Sequence, residues 1–376
     1  MRIALYISPA HSVPPETRQI LAPWYLVREI ANGLVERGHE VTLFAAQGSK
    51  TKAHLIDLGI APFGYKEGAE IEQKKFINYA ASFEQRLAAE MYKMSQEGKF
   101  DVINSHWSIR TLPFAVLTKT PSVFTLHDPL NDLVLEMYSA YLDIPQISYI
   151  SISNAQRGNS SLPFVGTIYH GVCLEDYRFN PDGGENLLMV GRIRKEKGIV
   201  EAIEVAKKTN MKLLICGEYF PQYPEIYKYW KEEVEPFIDG KQIVYNGLLS
   251  KVEMSLHYQK AKALLFPISW EEPFGLVIIE AMAVGTPIIA YNRGSVSEVI
   301  KDGVTGFIVD PDDEDRPSRG NWMIKKKGIE GLCEAVKRIG EIDRRACRRH
   351  VEENFTVEGM VERYEKVYEK VVSEVK

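Results

Sequence analysis

The segment SWEEPFGLVIIEAMAVGTPIIA, from Ser269 to Ala290, carries the strongest signal for the fold of this chain. Two of its acids, Glu272 and Glu280, have seven residues between them, and every residue from Pro273 to Ile279 is uncharged. The run GLVIIEAMAVG is typical of a buried helix, and TPIIAYN is typical of a buried strand. An ionised acid in so apolar a helix costs free energy unless it is paired or meets a polar ligand. The segment therefore predicts either two acids that face a ligand, or a charge at the helix start followed by a solvent-facing Glu280.

The predicted start of this helix is suited to a phosphate group. Pro273 favours a helix start, and Gly275 allows the backbone to approach a ligand closely. The N–H groups of Gly275, Leu276 and Val277 then have no acceptor inside the helix, which favours a bound anion. A carboxylate accepts two hydrogen bonds at once, so Glu280 is suited to a pair of sugar or ribose hydroxyls.

A second element of this kind is LLMVGRIRKEKGIVEAI, from Leu187 to Ile203. A predicted strand ends at Gly191, and a predicted helix starts near Gly198. The loop between them carries the cations Arg192, Arg194, Lys195 and Lys197. Cations between a strand end and a helix N-terminus suit a diphosphate, and a solvated basic loop is the alternative. The loop lacks the GxxxxGK[ST] pattern of a P-loop, and no GxGxxG follows the first strand, which argues against a nicotinamide dinucleotide site.

Apolar strand-like runs alternate with amphipathic helix-like segments along the whole chain. RIALYIS, EVTLFAA, FDVINSH, SVFTLH and ISYISIS are the first predicted strands, and the pattern restarts near Thr167. Such alternation predicts α/β architecture with parallel, doubly wound sheets, in which ligands bind beyond the carboxyl ends of the strands. We expect a first domain over 1–166, a second over 167–355 and a cleft between them. A final amphipathic helix over 356–376 must dock on another part of the protein.

The totals are those of an ordinary globular protein. With 376 residues, a single hydrophobic core is unusual, so two domains are expected. The net charge of -5 argues against a nucleic-acid-binding protein. The four cysteines form no CxxC pair, so neither a zinc site nor a disulfide framework is indicated. No apolar run is long enough for a transmembrane helix, and the N-terminus does not resemble a signal peptide. A cytoplasmic location is the default expectation, and a peripheral membrane contact stays open.

Three histidines lie at predicted strand ends or in the turns that follow. They are His106, His127 and His170. A single histidine at such a place is usually structural, but three at the carboxyl ends of strands favour a role in the predicted cleft. Their spacing is not that of metal ligands, and neither a GxSxG elbow nor a cysteine nucleophile motif is present.

These segments together resemble the retaining glycosyltransferases of the large fourth sequence family, the group 1 glycosyltransferases, which have the GT-B fold. The resemblance covers nearly the whole chain. Glu272 and Glu280 match the two acids of the E-x7-E signature, and GRIRKEKG resembles the donor-diphosphate loop, with Arg192 and Lys197 at its basic positions. NGL (Asn246–Leu248), ALLFPISW, GSVSEVIKDGVTGFIV and RGHEVTLFA also resemble family segments. The implied fold has two Rossmann-like domains facing across a cleft, with the last helix crossing back onto the first domain.

The resemblance implies a role for each matching residue. Arg192 and Lys197 would hold the diphosphate of a nucleotide-sugar. Glu280 would bind the ribose hydroxyls, and Glu272 would hold sugar hydroxyls and help position the donor. His127 matches the family histidine that reaches the donor sugar from the first domain. The remaining implied donor contacts are Gly191, Leu248, Phe274, Gly275, Leu276 and Val277.

The implied reaction is attack of an acceptor hydroxyl on the anomeric carbon while the nucleotide diphosphate leaves. The anomeric configuration is retained by front-face attack, with no metal and no cofactor. UDP is the first expectation for the nucleotide, ahead of GDP and ADP, and glucose for the sugar. The acceptor could be a small sugar, a polyol, a glycan or a lipid. Another GT-B sugar-nucleotide enzyme, such as an epimerase or a phosphorylase, and a noncatalytic nucleotide-sugar-binding protein are the alternatives.

The chain departs from the family pattern on the acceptor side. The segment LAPW (Leu21–Trp24) stands where many relatives have a glycine pair plus an acid, and His170–Gly171 stands where many have Asn-Gly. These departures bear on the identity of the acceptor more than on the type of reaction.

Overall fold

The computed structural model describes residues 1–15, 21–64, 73–312 and 320–375, with the backbone alone at 73–77 and 375. These residues form two compact units. The first contains the described residues up to 170 and those from 357 onward, and the second contains those from 171 to 356. The division falls four residues later than the expected 166/167 boundary. The cause is a strand at Phe164–Thr167, which pairs with the preceding strand of the first unit and so carries the chain past that point.

The first unit is a parallel seven-stranded sheet with the strand order β3-β2-β1-β4-β5-β6-β7. Its strands are β1 (Arg2–Tyr6), β2 (Glu40–Phe44), β3 (His54–Ile56), β4 (Val102–Ser105), β5 (Ser122–Thr125), β6 (Ile147–Ser151) and β7 (Phe164–Thr167). Its helices within this part of the chain are α1 (Ala22–Glu36), α2 (Gln73–Gln96), α3 (Ser108–Ala115), α4 (Asp132–Ser139) and α5 (Asn154–Arg157). Residues 3–6 of β1 are fully buried because the strand lies between β2 and β4 with helices over the sheet.

Helix α1 ends in a Schellman motif at Gly38. Gly38 has a φ of +86°, its N–H donates to the Val35 carbonyl, and the His39 N–H donates to the Leu34 carbonyl. Glycine adopts this left-handed backbone without steric cost, so the chain turns sharply there into β2.

The second unit is a parallel six-stranded sheet with the order β10-β9-β8-β11-β12-β13. Its strands are β8 (Asn186–Val190), β9 (Leu213–Cys216), β10 (Ile243–Gly247), β11 (Ala261–Phe266), β12 (Ile288–Tyr291) and β13 (Gly306–Val309). Its helices are α6 (Ile199–Lys208), α7 (Pro224–Tyr229), α8 (Lys251–Gln259), α9 (Leu276–Ala283), α10 (Val296–Val299), α11 (Gly328–Arg338) and α12 (Arg344–Asn354). The sheet order reverses between β8 and β11, which is the switch point at which ligands bind in open α/β sheets.

The last helix, α13 (Val357–Val375), returns to the first unit, as expected. A Cβ atom at Gly33 of α1 would lie 2.7 Å from a methyl carbon of Val361, so only a glycine there lets the two helices approach this closely. The hydroxyl of Tyr368 donates to the Asn104 side-chain oxygen at 2.7 Å, and both residues are fully buried. Glu365 pairs with Arg37 and accepts from His39. An apolar face and a few buried polar contacts thus fix α13 against α1 and β4.

We expect Tyr368→Phe to lower the free energy of unfolding of the first unit by about 1–3 kcal/mol. The substitution removes the one described donor to the buried Asn104 oxygen and keeps the ring that fills the core. Tyr364→Phe is the matched control. The Tyr364 hydroxyl makes only a long contact of 3.4 Å to Thr125, so its removal should lower the free energy of unfolding less. Urea denaturation measures both. Equal losses for the two variants would show that the Tyr368 hydrogen bond contributes nothing of its own.

Candidate functional site

In the second unit, the loop after β8 is held against the segment that follows β11. The loop contains a single 3-10 turn at Lys195–Lys197 and ends at Gly198, which has a φ of +73°. A Cβ at Gly198 would lie 1.9 Å from the Pro267 carbonyl oxygen, and the Ser269 N–H donates to the Glu196 carbonyl at 3.0 Å. The backbones therefore touch directly, and the loop side chains reach the residues in front of α9.

This docking brings together Lys197 and Glu272, two residues that the sequence assigned to the site. The Lys197 ammonium lies 2.8 Å from a carboxylate oxygen of Glu272. The side chains are only 13% and 14% exposed. Trp270 completes the group, since its indole N–H donates to the same carboxylate at 3.1 Å and its ring lies 4.3 Å from the Lys197 nitrogen. The sequence interpretation missed Trp270, although its position two residues before Glu272 in a site-forming segment was a usable signal.

The start of α9 lies next to this group. Gly275 is the N-cap with a φ of +82°, and the backbone N–H groups of Gly275, Leu276 and Val277 have no acceptor among the described residues. They form the positive end of the helix dipole. The helix begins within the expected run GLVIIEAMAVG, and Pro273 lies two residues before its N-cap. Phe274 is buried at 2% exposure, so its backbone rather than its ring is placed to meet a ligand.

The segment before α9 is held in place by the turn after β12. The Ser295 N–H donates to the Glu272 carbonyl at 2.9 Å, and the Ser295 hydroxyl donates to the Phe274 carbonyl at 2.8 Å. A Cβ at Gly294 would lie 2.2 Å from the Glu272 carbonyl oxygen. This clamp was not foreseen from the sequence, because nothing in the local pattern around Gly294 shows which backbone it meets.

Glu280 lies one turn into α9 and accepts a hydrogen bond from the Tyr258 hydroxyl at 2.8 Å. Burial raises the pKa of Tyr258 well above its ordinary value, and the negative charge of Glu280 adds to the effect. The pKa of Tyr177 is raised by the same two causes in the same order. Glu280 is partly buried and keeps acceptor positions beyond the one that Tyr258 uses.

The other expected donor-binding residues of this unit lie at the carboxyl ends of its strands. Arg192 is exposed and has no partner among the described residues. Gly191 is buried, and a Cβ at Gly217 would lie 1.7 Å from its carbonyl oxygen, so the ends of β8 and β9 are in backbone contact. Leu248 directly follows β10 and is partly buried. The structure thus places Lys197, Glu272 and the α9 N-terminus together, whereas Arg192 makes no described contact with them.

The three expected histidines do form a cluster, within the first unit. His106 Nδ1 lies 3.0 Å from His127 Nε2, and the rings of His127 and His170 are stacked with centroids 5.5 Å apart. Burial lowers the pKa of His127 to about 4. It also lowers the pKa values of His106 and His170, and the neighbouring imidazoles lower them further. The cluster is therefore neutral near pH 7.

Among the described residues, no group of three or more His, Cys, Asp or Glu side chains is arranged to hold a metal ion. Within the same residues, no helix combines the length and the hydropathy that crossing a membrane requires.

Lowering the pH should destabilise the first unit through the histidine cluster. Unfolded histidines titrate near pH 6.5, so between about pH 6.5 and 4 the unfolded chain takes up protons that the folded cluster does not. The free energy of unfolding therefore decreases as the pH is lowered through this window. We expect His127→Asn to reduce the loss between about pH 7.5 and 5 by about 2 kcal/mol, measured by urea denaturation at each pH. His54→Asn, at an exposed position of the same unit, is the control. Equal pH dependence in all three proteins would contradict the expectation.

Comparison with known proteins agrees with the fold. The family model for group 1 glycosyl transferases matches residues 177–320, and the model for glycosyltransferase family 4 matches residues 25–156. The N-acetyl-alpha-D-glucosaminyl L-malate synthase of Bacillus anthracis is 24% identical over 93% of this chain and 93% of its own length. The chain spans less than half the length of two curated relatives with which it shares 30% identity, 46% of one and 42% of the other.

Two solved structures show the same fold at low sequence identity. The sucrose-phosphate synthase of Thermosynechococcus elongatus superposes with a TM-score of 0.76 at 19% identity, covering 100% of both chains. HepE of Anabaena, solved in complex with UDP and glucose, superposes with a TM-score of 0.67 at 14% identity and covers 98% of this chain and 100% of its own. With the two family models, the two parallel sheets and the returning C-terminal helix, the chain belongs to the group 1 glycosyltransferases of the GT-B fold.

Proposed function

We propose that the protein is a retaining glycosyltransferase that moves a hexose, glucose in the first instance, from a UDP-linked donor to an acceptor hydroxyl. The observation that carries the proposal is the Lys197–Glu272 pair beside the free N–H groups at the start of α9. A nearly buried ion pair is seldom more stabilising than an apolar pair of similar size. Its presence beside a helix N-terminus is therefore better explained by a ligand with both phosphates and hydroxyls.

The donor would lie along these groups with its diphosphate at the α9 N-terminus. An ammonium group has three N–H donors, and one of those of Lys197 is used by Glu272. The others are available for phosphate oxygens, as is the exposed guanidinium of Arg192. Glu272 has hydrogen-bond acceptor capacity left for sugar hydroxyls, and Glu280 has capacity left for the ribose. Leu248 would lie beside the base, and His127 of the first unit would contact the donor sugar.

In the proposed reaction, negative charge develops on the leaving diphosphate. Cations and helix N–H groups already placed at that position stabilise the transition state more than the ground state. The acceptor hydroxyl would attack from the face that the diphosphate leaves, and a phosphate oxygen would accept its proton. No metal is required in this scheme. The name of the Bacillus anthracis relative supports an enzyme that joins a sugar to an acceptor, and the UDP and glucose in the HepE structure support the choice of donor.

We expect Glu280→Ala to weaken binding of UDP by about ten- to a hundredfold, because a carboxylate that accepts from two ribose hydroxyls is lost. Calorimetric titration with UDP, GDP and ADP would measure the affinity and rank the bases. Glu204→Ala, which removes an exposed carboxylate of α6 in the same unit, is the control. An unchanged affinity for the preferred nucleotide would remove the ribose role of Glu280.

We expect Arg192→Ala to lower the rate of transfer by about a hundred- to a thousandfold with a smaller effect on KM, because the guanidinium acts mainly on charge in the transition state. UDP release from UDP-glucose, measured with a panel of sugar, polyol, glycan and lipid acceptors and with a metal chelator present, would test it. Lys195→Ala is the matched control, since it removes a cation from the same loop that is 77% exposed. Near-normal turnover of the Arg192 variant would show that the loop is only a basic surface, and loss of wild-type turnover in chelator would refute the metal-free scheme.

A further inference from the structure

His106 and His127 are in direct contact, and one of them is almost inaccessible. His106 is 2% exposed and its Nδ1 lies 3.0 Å from His127 Nε2. The other ring nitrogen of His106, Nε2, is buried and has no hydrogen-bond partner among the described residues. Tyr364, the neighbouring ring from α13, has its centroid 5.9 Å from that of His106, and its hydroxyl is directed to Thr125. His127 is partly exposed, and the described residues provide no partner for its Nδ1.

A neutral imidazole carries one proton, so the contact allows only two arrangements. If His127 donates from Nε2, the proton of His106 must lie on Nε2, where a buried N–H has no acceptor. If His106 donates from Nδ1, its buried Nε2 carries only a lone pair that lacks a donor. Buried N–H groups without acceptors are rare in proteins, and buried acceptors without donors are somewhat less rare. The second arrangement therefore has the lower free energy, and it leaves the proton of His127 on Nδ1.

We propose that His106 is a positioning residue that holds His127 in the tautomer protonated at Nδ1, so that His127 presents an N–H donor to an oxygen of its ligand. The nature of that ligand rests on the proposed function, in which it is a hydroxyl of the donor sugar. Free histidine in water favours the opposite tautomer, protonated at Nε2. The contact with His106 therefore turns Nδ1 of His127 from a hydrogen-bond acceptor into an N–H donor. A fixed N–H on His127 selects a sugar oxygen with a free lone pair. No proton then has to move between the ring nitrogens when the sugar binds.

The tautomer can be measured without any ligand. Protein labelled with ¹⁵N in its histidine rings is studied by two-bond proton–nitrogen correlation at about pH 7.5, and the His127 signals are assigned by their loss in His127→Asn. We expect a protonated Nδ1 and a bare Nε2 on His127, with Nδ1 also protonated on His106. A protonated Nε2 on His127 in the wild-type protein overturns the proposal.

Two substitutions at position 106 provide a matched pair. His106→Asn keeps an amide N–H near the place of Nδ1, whereas His106→Leu keeps an apolar side chain without a donor. We expect His127 to stay protonated at Nδ1 in the Asn variant and to shift toward Nε2 in the Leu variant. The same tautomer in both variants would show that His106 does not set it. The wild-type measurement stands even if a variant does not fold.

The consequence for the ligand is measured separately. We expect the KM for UDP-glucose to rise about tenfold in His106→Leu and to stay near the wild-type value in His106→Asn, with the affinity for UDP alone unchanged in both. Equal KM values in all three proteins overturn the claim that the N–H serves the donor sugar. Absence of wild-type turnover with any sugar nucleotide refutes the proposed function instead, and leaves the tautomer result to be judged on its own.

Discussion

The contact between Lys197 and Glu272 is the interaction on which the architecture of the second unit's site depends. The two residues are 75 positions apart in the chain, and they meet because β8 and β11 are neighbours in the sheet. Each strand ends in a loop that leaves the same edge, so the loop after β8 and the segment before α9 must share the space above the switch point. An oppositely charged pair at that junction holds the two together and leaves both side chains available at the surface they form.

The same junction depends on backbone contacts that only glycine permits. At Gly198, Gly217 and Gly294, an added Cβ would lie within 2.2 Å of a carbonyl oxygen of another segment. Such positions cannot be repacked by exchanging side chains, because the contact is made by the main chain itself. They define where the Lys197 loop, the end of β9 and the Glu272 segment lie. The side chains that would perform chemistry are therefore presented by a backbone framework that tolerates few alternatives.

The sequence predicted the alternating strands, the doubly wound sheets and the helix that carries Glu280, because hydrophobic period and length are local properties. It did not predict β3 and β7 as strands, because both are short and lie at sheet edges with partly exposed residues. It placed Lys197 and Glu272 in one site through the resemblance, but as two separate ligand contacts and not as a pair. Trp270, Tyr258 and the Ser295 clamp were missed for a common reason. Their importance comes from contacts across the fold, and no local period encodes these.

The charge balance of the group would allow Lys197 to pair with Glu272 and also to donate to a ligand. Lys197 and Glu272 neutralise one another to a first approximation, so the pair by itself attracts neither cation nor anion strongly. The N–H groups that begin α9 give this place a net positive potential, to which Arg192 would add in the proposed function. A dianionic group would be attracted by these two, while Lys197 could donate to it without releasing Glu272. The glutamate would in turn be oriented by Trp270, ready to accept hydrogen bonds from neutral hydroxyls beside the anion. A site built in this way discriminates by arrangement of donors and acceptors rather than by net charge, which is what a ligand with a diphosphate at one end and a sugar at the other requires.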